Sequence, residues 1–247
     1  MIIDVYNVKS LGYLEMFKKF FLLALVMFFP TASFAIEEVQ VDSTKEAAVQ
    51  KRLNDVGISI LNSNKIDGRI VFVYDKTEVK EKLKLDKTLL DREVVVYGYD
   101  YKFVEDDNEL AAFLSRRIAE GYRSYPGLFK GRLNSLKIKA APKKYQIIFD
   151  KIGLDYMVRA GYNPVAMITL VNKSHPQKRG DSLTNNVTSK RLAKMYEHIC
   201  IKYPYYLVNN EYEKNKSYQN FLLTSVNNRK MLEEKLKTRS RKELNYE

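Results

Sequence analysis

The sequence predicts an α+β fold that is mostly helical, and three observations carry this reading. Two short runs rich in β-branched residues, Gly68–Tyr74 and Glu93–Tyr99, have the length and composition of strands. Longer stretches place apolar residues at three- and four-residue steps, the spacing of a helix with one buried face. Hydrophobic residues fill 45% of the 247 positions, enough to bury a core rather than leave the chain disordered.

The elements follow in order. Lys18 and Lys19 precede an apolar run from Phe20 to Phe29, then Pro30, then Ala32-Ser33-Phe34-Ala35 with small residues at −3 and −1 before Ile36. That is the basic, apolar and cleavage-site order of a secretory signal peptide over residues 16–35. The run falls short of the roughly 20 residues that cross a bilayer, so no stable membrane span is expected. Residues 1–15 lie outside the pattern and read as a mis-assigned extension ahead of Met16. The expected location is periplasmic or secreted, by bacterial export.

From Val39 to about Asn62 the chain reads as a helix, capped by Asp42 or Ser43, with Val49, Leu53, Val56, Ile60 and Leu61 on one face. Asp67-Gly68 turns into the first strand, and a polar Lys-rich stretch leads to the second. Asp106 to Asn108 opens another helix, where carboxylates meet the positive end of the helix dipole. Gly121–Ala141 reads as a basic loop around Pro126-Gly127. The next helix, Pro142 to Ala160, stops at Gly161, a residue suited to a left-handed terminator. Pro164 sits near the first turn of a helix over Val165–Val171, where proline is tolerated. A further helix covers Ser189–Lys202. Beyond it an aromatic segment runs to Phe221, followed by a charged amphipathic helix expected to be loosely held. The expected organisation is one domain over 36–202 with a helical extension over 203–247.

Composition bounds the partners less sharply. Lys and Arg total 42 against 30 acids, a net charge of +12. A Lys-rich composition drifted by AT-rich codons accounts for this as well as a dedicated polyanion-binding role does. Long-range attraction leaves anionic envelope components open as partners. The basic run from Arg116 to Lys144 is a binding patch or a solvated face, and it carries no nucleic-acid motif, so nucleic acid is not expected. Cys200 is the single cysteine, which rules out an intramolecular disulfide. His198 and Cys200, two residues apart on a helix, do not share a face. No GxSxG nucleophile elbow accompanies the two histidines.

Four stretches go further. Gln50-Lys51-Arg52-Leu53-Asn54-Asp55-Val56-Gly57 is similar to VQxRLxxIG. Asp107-Asn108-Glu109-Leu110-Ala111-Ala112 is similar to DEDELAA. Asp150 to Tyr156 with Ala160-Gly161-Tyr162-Asn163-Pro164-Val165-Ala166-Met167 is similar to ExxxDxxGLxYLxxAGYDPxAM, and Ser174-His175-Pro176 with Arg191-Leu192 to a THP-to-RI segment. In this order they resemble metallopeptidase family forty-eight, the HtpX and CAAX-prenyl-endopeptidase group, in its exported bacterial form. The resemblance reaches to about Lys202. It implies a gluzincin-like metallopeptidase domain in which a small sheet edge holds a peptide strand above two zinc-holding helices.

That family writes ELAAxLxHEIAH where this chain has Glu109 to Glu120. The chain therefore resembles a degenerate member that lacks HExxH. Two ligands at i and i+4 share a helix face, and a zinc hydrolase adds a third ligand and a carboxylate beside the bound water. Here Arg116 takes the first ligand position, Arg117 the general base, Glu120 the second ligand and Gln146 the third, leaving Asp150 as the orienting carboxylate. A guanidinium keeps its protons and cannot ligate. No catalytic residue and no cofactor is expected, although the family uses zinc, and Glu120 and His175 are the remaining metal candidates. Arg116 is expected to pair with Glu120 and Asp150 in place of the metal, against the alternative of an opened cleft with solvated side chains.

The resemblance therefore implies an exported, inactive peptidase-like protein that binds a polypeptide client or a partner protease. Two alternatives stay open: an active metalloendopeptidase using Glu120, His175 and Asp150, and a basic protein that binds anionic envelope polymers.

Overall fold

A computed structural model describes residues 44–67, 70–77, 92–124, 137–138, 140–176 and 186–247. The expectations for the signal segment, the helix cap at residues 42–43, the Lys-rich stretch, the Pro126-Gly127 turn and the polar gap at Gly180 lie outside these residues. The chain divides into two compact units, Met1–Val49 and Gln50–Glu247. In the first, residues 44–49 are described and are helical. The second holds everything that follows.

Its first element, α1, covers residues 50–63. Leu53, Val56, Ile60 and Leu61 form its buried face, as the spacing predicted. Gly57 is required here because a methyl group would lie 2.4 Å from the Phe72 ring. Phe72 belongs to β1 (Val71–Asp75), which pairs in parallel with β2 (Glu93–Tyr97) in the register Val71↔Glu93 through Asp75↔Tyr97. The Gln50 side chain closes the outer edge of β1: its Nε2 donates to the Phe72 carbonyl (2.7 Å) and its Oε1 accepts from the Tyr74 N–H (2.8 Å). β2 stops two residues earlier than predicted. Gly98–Tyr101 instead forms the short helix α2, with Gly98 against the Lys76 carbonyl, where a methyl would sit at 2.9 Å.

α3 (Asp107–Ser124) continues through Gly121, which sequence reading took as the start of a loop. A single glycine costs a helix only about 1 kcal/mol, and the buried side chains from Leu110 to Ala119 hold the frame. α4 (Pro142–Arg159) ends as predicted: Gly161 has φ +84°, Tyr162 N–H donates to the Met157 carbonyl, and Gly161 N–H to that of Val158. These two bonds form a Schellman motif. α5 (Val165–Ser174) starts after Pro164 and runs three residues past its predicted end. Val165 through Asn172 are all buried, so α5 is the central helix. α6 (Asn186–Lys202), α7 (Tyr205–Val208), α8 (Lys216–Thr224) and α9 (Val226–Lys237) follow.

The most extensive contact is α3 on α4; α5 lies against α3 and α8, and α6 against α4 and α5. Leu114, Ile118, Phe149, Leu154, Met167, Ile168 and Leu192 meet in the core. The C-terminal part is not loosely held. Leu232 of α9 is buried, and Lys235 reaches Glu197 of α6 at 2.8 Å. The Asn228 amide donates to the Glu247 carbonyl (2.9 Å) and accepts from its N–H (3.1 Å), while Tyr246 is buried. Single polar residues do this anchoring, and a hydrophobic pattern does not register them. The fold class is α+β and mostly helical, with a two-stranded parallel sheet among the described residues.

Gly153 of α4 marks how closely α3 and α4 approach. A methyl there would lie 3.0 Å from Arg116 Cα and 3.1 Å from Met167 Cε. At an ordinary helix position Gly→Ala stabilises by ~0.5–1 kcal/mol. Gly153→Ala is expected to do the reverse and destabilise by ~1–3 kcal/mol through overpacking. Urea unfolding measures it, and a stabilised variant would contradict the close approach.

Candidate functional site

Asp150 lies in the third turn of α4 with its side chain 1% exposed. Two guanidiniums from other helices cover it. Arg116 of α3 donates through Nε to Oδ1 at 3.0 Å. Arg191 of α6 binds both oxygens, Nη2 to Oδ1 at 2.8 Å and Nε to Oδ2 at 2.5 Å. The side chains of Arg116 and Arg191 are only 22% and 13% exposed. Arg116 Nη1 also donates to Glu120 at 3.4 Å, one turn along the same helix. Arg117, whose guanidinium lies over the Phe113 ring, reaches Glu120 at 3.7 Å. Burial, and then the neighbouring Arg191 charge, push the Arg116 guanidinium down from its usual range.

The expected pairing of Arg116 with Asp150 and Glu120 is therefore present, and the opened, solvated cleft is not. Arg191 was quoted only as part of a motif; its role as the second clamp was missed. The available clue was an arginine on a helix lacking a nearby acidic partner at i±4.

This donor set does not fit zinc. Both Asp150 oxygens carry guanidinium N–H donors, and a guanidinium offers no lone pair to a metal. Gln146, one turn before Asp150, is half-buried. His175 caps the C-terminus of α5, is exposed, and contacts Ser174 Oγ through Nδ1 at 3.0 Å. It does not join Glu120. Lys173, two residues earlier, binds Glu109 at 2.6 Å, and Glu120 lies 11 residues further along α3, about 16 Å at 1.5 Å per residue. The alternative ligand set of Glu120, His175 and Asp150 is thus dispersed. Among the described residues no group of three or more His, Cys, Asp or Glu side chains is arranged to hold a metal ion.

A second buried carboxylate, Glu109, sits at the start of α3. It accepts from Thr169 Oγ1 (2.9 Å), the Glu105 N–H (2.8 Å) and Lys173 Nζ. Asp106 caps the helix by accepting from the Glu109 N–H at 2.7 Å and takes the Tyr212 hydroxyl at 2.6 Å. Lys173 also binds Glu105 at 2.8 Å.

A third cluster centres on Asp155, which accepts from His198 Nε2 (2.6 Å), Tyr203 Oη (2.8 Å) and Lys202 Nζ (3.0 Å). Burial alone would raise the Asp155 pKa. The bonds from His198, Lys202 and Tyr203 outweigh it and hold the carboxyl well below its usual range.

No family model, no curated protein and no solved structure matches this chain. Among the described residues no helix is long and apolar enough to cross a membrane.

Two predictions follow from these clusters. Arg191→Ala and Arg116→Ala each uncover a buried carboxylate and are expected to cost several kcal/mol, toward the ~3–5 kcal/mol of a broken buried pair. Replacing Arg116, Asp150 and Arg191 together with Met, Leu and Met is expected to recover most of that loss. Urea unfolding of the series tests both, and a negligible effect of Arg191→Ala would defeat the clamp. For Asp155 the folded pKa lies below the unfolded value of about 3.9, so its stabilisation is complete above that pH and lost as pH falls through the folded-state pKa. The stability gap between the parent and Asp155→Asn is therefore expected to be widest near neutrality and to narrow below pH ~4. A gap that stays constant into strong acid would contradict this.

Proposed function

We propose that this chain is an exported, catalytically inactive, metallopeptidase-like protein with a gluzincin-like domain, acting by binding a polypeptide client or a partner protease. The observation that carries the reading is the Arg116–Asp150–Arg191 cluster. In it, Arg116 stands where the family resemblance expects the first metal ligand and Asp150 where it expects the orienting carboxylate, and the cluster ties their helices together by charge. A hydrolase needs an open coordination position and a base beside the bound water. Here the first position bears a guanidinium, the base position another, and the orienting carboxylate is fully engaged.

Packing features of the resemblance are retained while its chemistry is replaced. The Glu109 entry to α3, the Gly161 terminator and Pro164 all serve the fold. The sheet is altered as well, since Gln50 already uses the β1 edge groups that an added peptide strand would need. Polypeptide binding is therefore assigned to surfaces outside that edge.

The test is metal content and peptidase activity of the purified protein after zinc exposure and dialysis, made without a His tag. No stoichiometric zinc and labelled casein left intact but bound are expected. Near one zinc per chain, or casein cleavage abolished by a chelator, would overturn the proposal.

A further inference from the structure

Beyond α9 the chain turns back on itself. Ser240 N–H donates to the Lys235 carbonyl (3.1 Å) and Arg239 N–H to that of Leu236 (3.2 Å), a Schellman closure with Arg239 at φ +53°. A side chain in that left-handed region crowds the backbone, so the reversal stands at a residue that does not favour it. Contacts further on must hold it. Residues 240–247 then return toward the start of α9 without regular secondary structure.

Two residues seat this segment. The Asn228 side chain takes both main-chain groups of Glu247, donating to its carbonyl (2.9 Å) and accepting its N–H (3.1 Å). A neighbouring strand would give the same pair of bonds, and they depend on no side chain of the bound residue. Tyr246, 2% exposed, fills a socket beside α6, with Lys194 Nζ 5.1 Å from its ring centre. Its hydroxyl neighbours Glu197 without normal hydrogen-bond geometry, while Lys194 and Lys235 hold that carboxylate at 3.4 and 2.8 Å. The socket therefore accepts a ring and does not reward a phenol. The rest of the segment is exposed apart from the half-buried Leu244, and its Glu243–Lys194 pair lies at the surface, where such pairs contribute little.

The groove does not need the segment. When it leaves, Glu197 keeps both lysines and Asn228 keeps Ser189 Oγ at 3.2 Å, so neither is left unpaired. α9 itself stays fixed by Leu232 and Lys235. A short stretch held through one amide and one ring opens at less cost than the helices beneath it. We infer that residues 240–247 are a strap occupying a polypeptide-binding groove beside α6 and α9, and that an extended segment with an aromatic residue displaces it. The incoming ring takes the Tyr246 socket, and Asn228 takes the main chain of the residue after it. The occupant is identified by what already sits there: a stretch of polypeptide, gripped by backbone and ring rather than by charge. The inference gives the polypeptide-binding reading a site and rests on that reading for an external ligand.

The test uses the full chain labelled with ¹⁵N and an amide-capped peptide, SRKELNYE, copying residues 240–247, with Tyr, Phe or Ala at the Tyr246 position. In Tyr246→Ala, whose strap has lost its ring, the Phe peptide is expected to shift the α9 amide resonances at least as well as the Tyr peptide, and the Ala peptide to leave them unmoved. The parent is expected to bind the Tyr peptide about tenfold more weakly, since a strap closed about nine-tenths of the time leaves one groove in ten free. Adding Asn228→Ala to Tyr246→Ala is expected to abolish binding. Equal binding by the parent and Tyr246→Ala, binding of the Ala peptide, or no binding at all would overturn the inference. So would a parent that dimerises through this segment and takes up no peptide, an outcome that makes a second copy the occupant. If Tyr246→Ala does not fold, hydrogen exchange on the parent decides. Glu247 N–H, bonded to Asn228, is expected to exchange at least about a hundredfold faster than the buried Ile168 amide of α5, and equal rates would overturn the strap. Casein bound by the doubly substituted protein, with no peptide bound, would reject this groove and leave the polypeptide-binding reading standing.

Discussion

A carboxylate at the meeting point of three helices governs the arrangement. Asp150 cannot be buried as an anion unless its lone pairs are occupied, and the two guanidiniums that occupy them come from α3 and α6. This constraint couples helices that hydrophobic contact alone would let slide. Arg191 binds side-on through two parallel N–H groups, a geometry that tolerates little rotation. Arg116 reaches the same oxygen because Gly153 brings the α3 backbone to van der Waals contact with α4. Net stability is not what such a cluster supplies best, since desolvation offsets most of the attraction. Register is.

The mechanical role resembles that of a structural metal, with the chemistry removed. A zinc ion links helices through deprotonated donors and, in an enzyme, keeps one position open for water. A guanidinium links them through N–H donors and leaves no position at which water is polarised. The three arginines and two carboxylates of the cluster leave a net charge of +1, which gives a cation nothing to neutralise there. Glu120 matters in this respect: it answers Arg116 and Arg117 from one turn away, where otherwise two adjacent guanidiniums would face a single carboxylate.

Much of the fold was legible because it is written locally. The face of α1, the opening of α3 at Asp106–Asn108, the terminator at Gly161 and the start of α5 after Pro164 depend on residues within one or two turns of each other. The pairing of Arg116 with Asp150 was legible too, because the family resemblance implied that their helices face each other. Arg191 was not. It lies 41 residues from Asp150, and its partner is set by how α6 docks on α4, a tertiary fact with no sequence period. The end of β2 failed for a similar reason: Gly98 turns the chain against a carbonyl from the other strand's exit. The C-terminal tail is held by Asn228 and Tyr246, one amide and one ring, which the charge-rich composition around them conceals.

Two ionic clusters fix α3 at points seven residues apart, about 10 Å along its axis: Glu109 with Lys173 of α5, and Arg116 with Asp150 of α4. Lys173 neutralises a buried carboxylate and is committed to the fold. A helix held at both points, the first of them at its entry, is fixed over its N-terminal half.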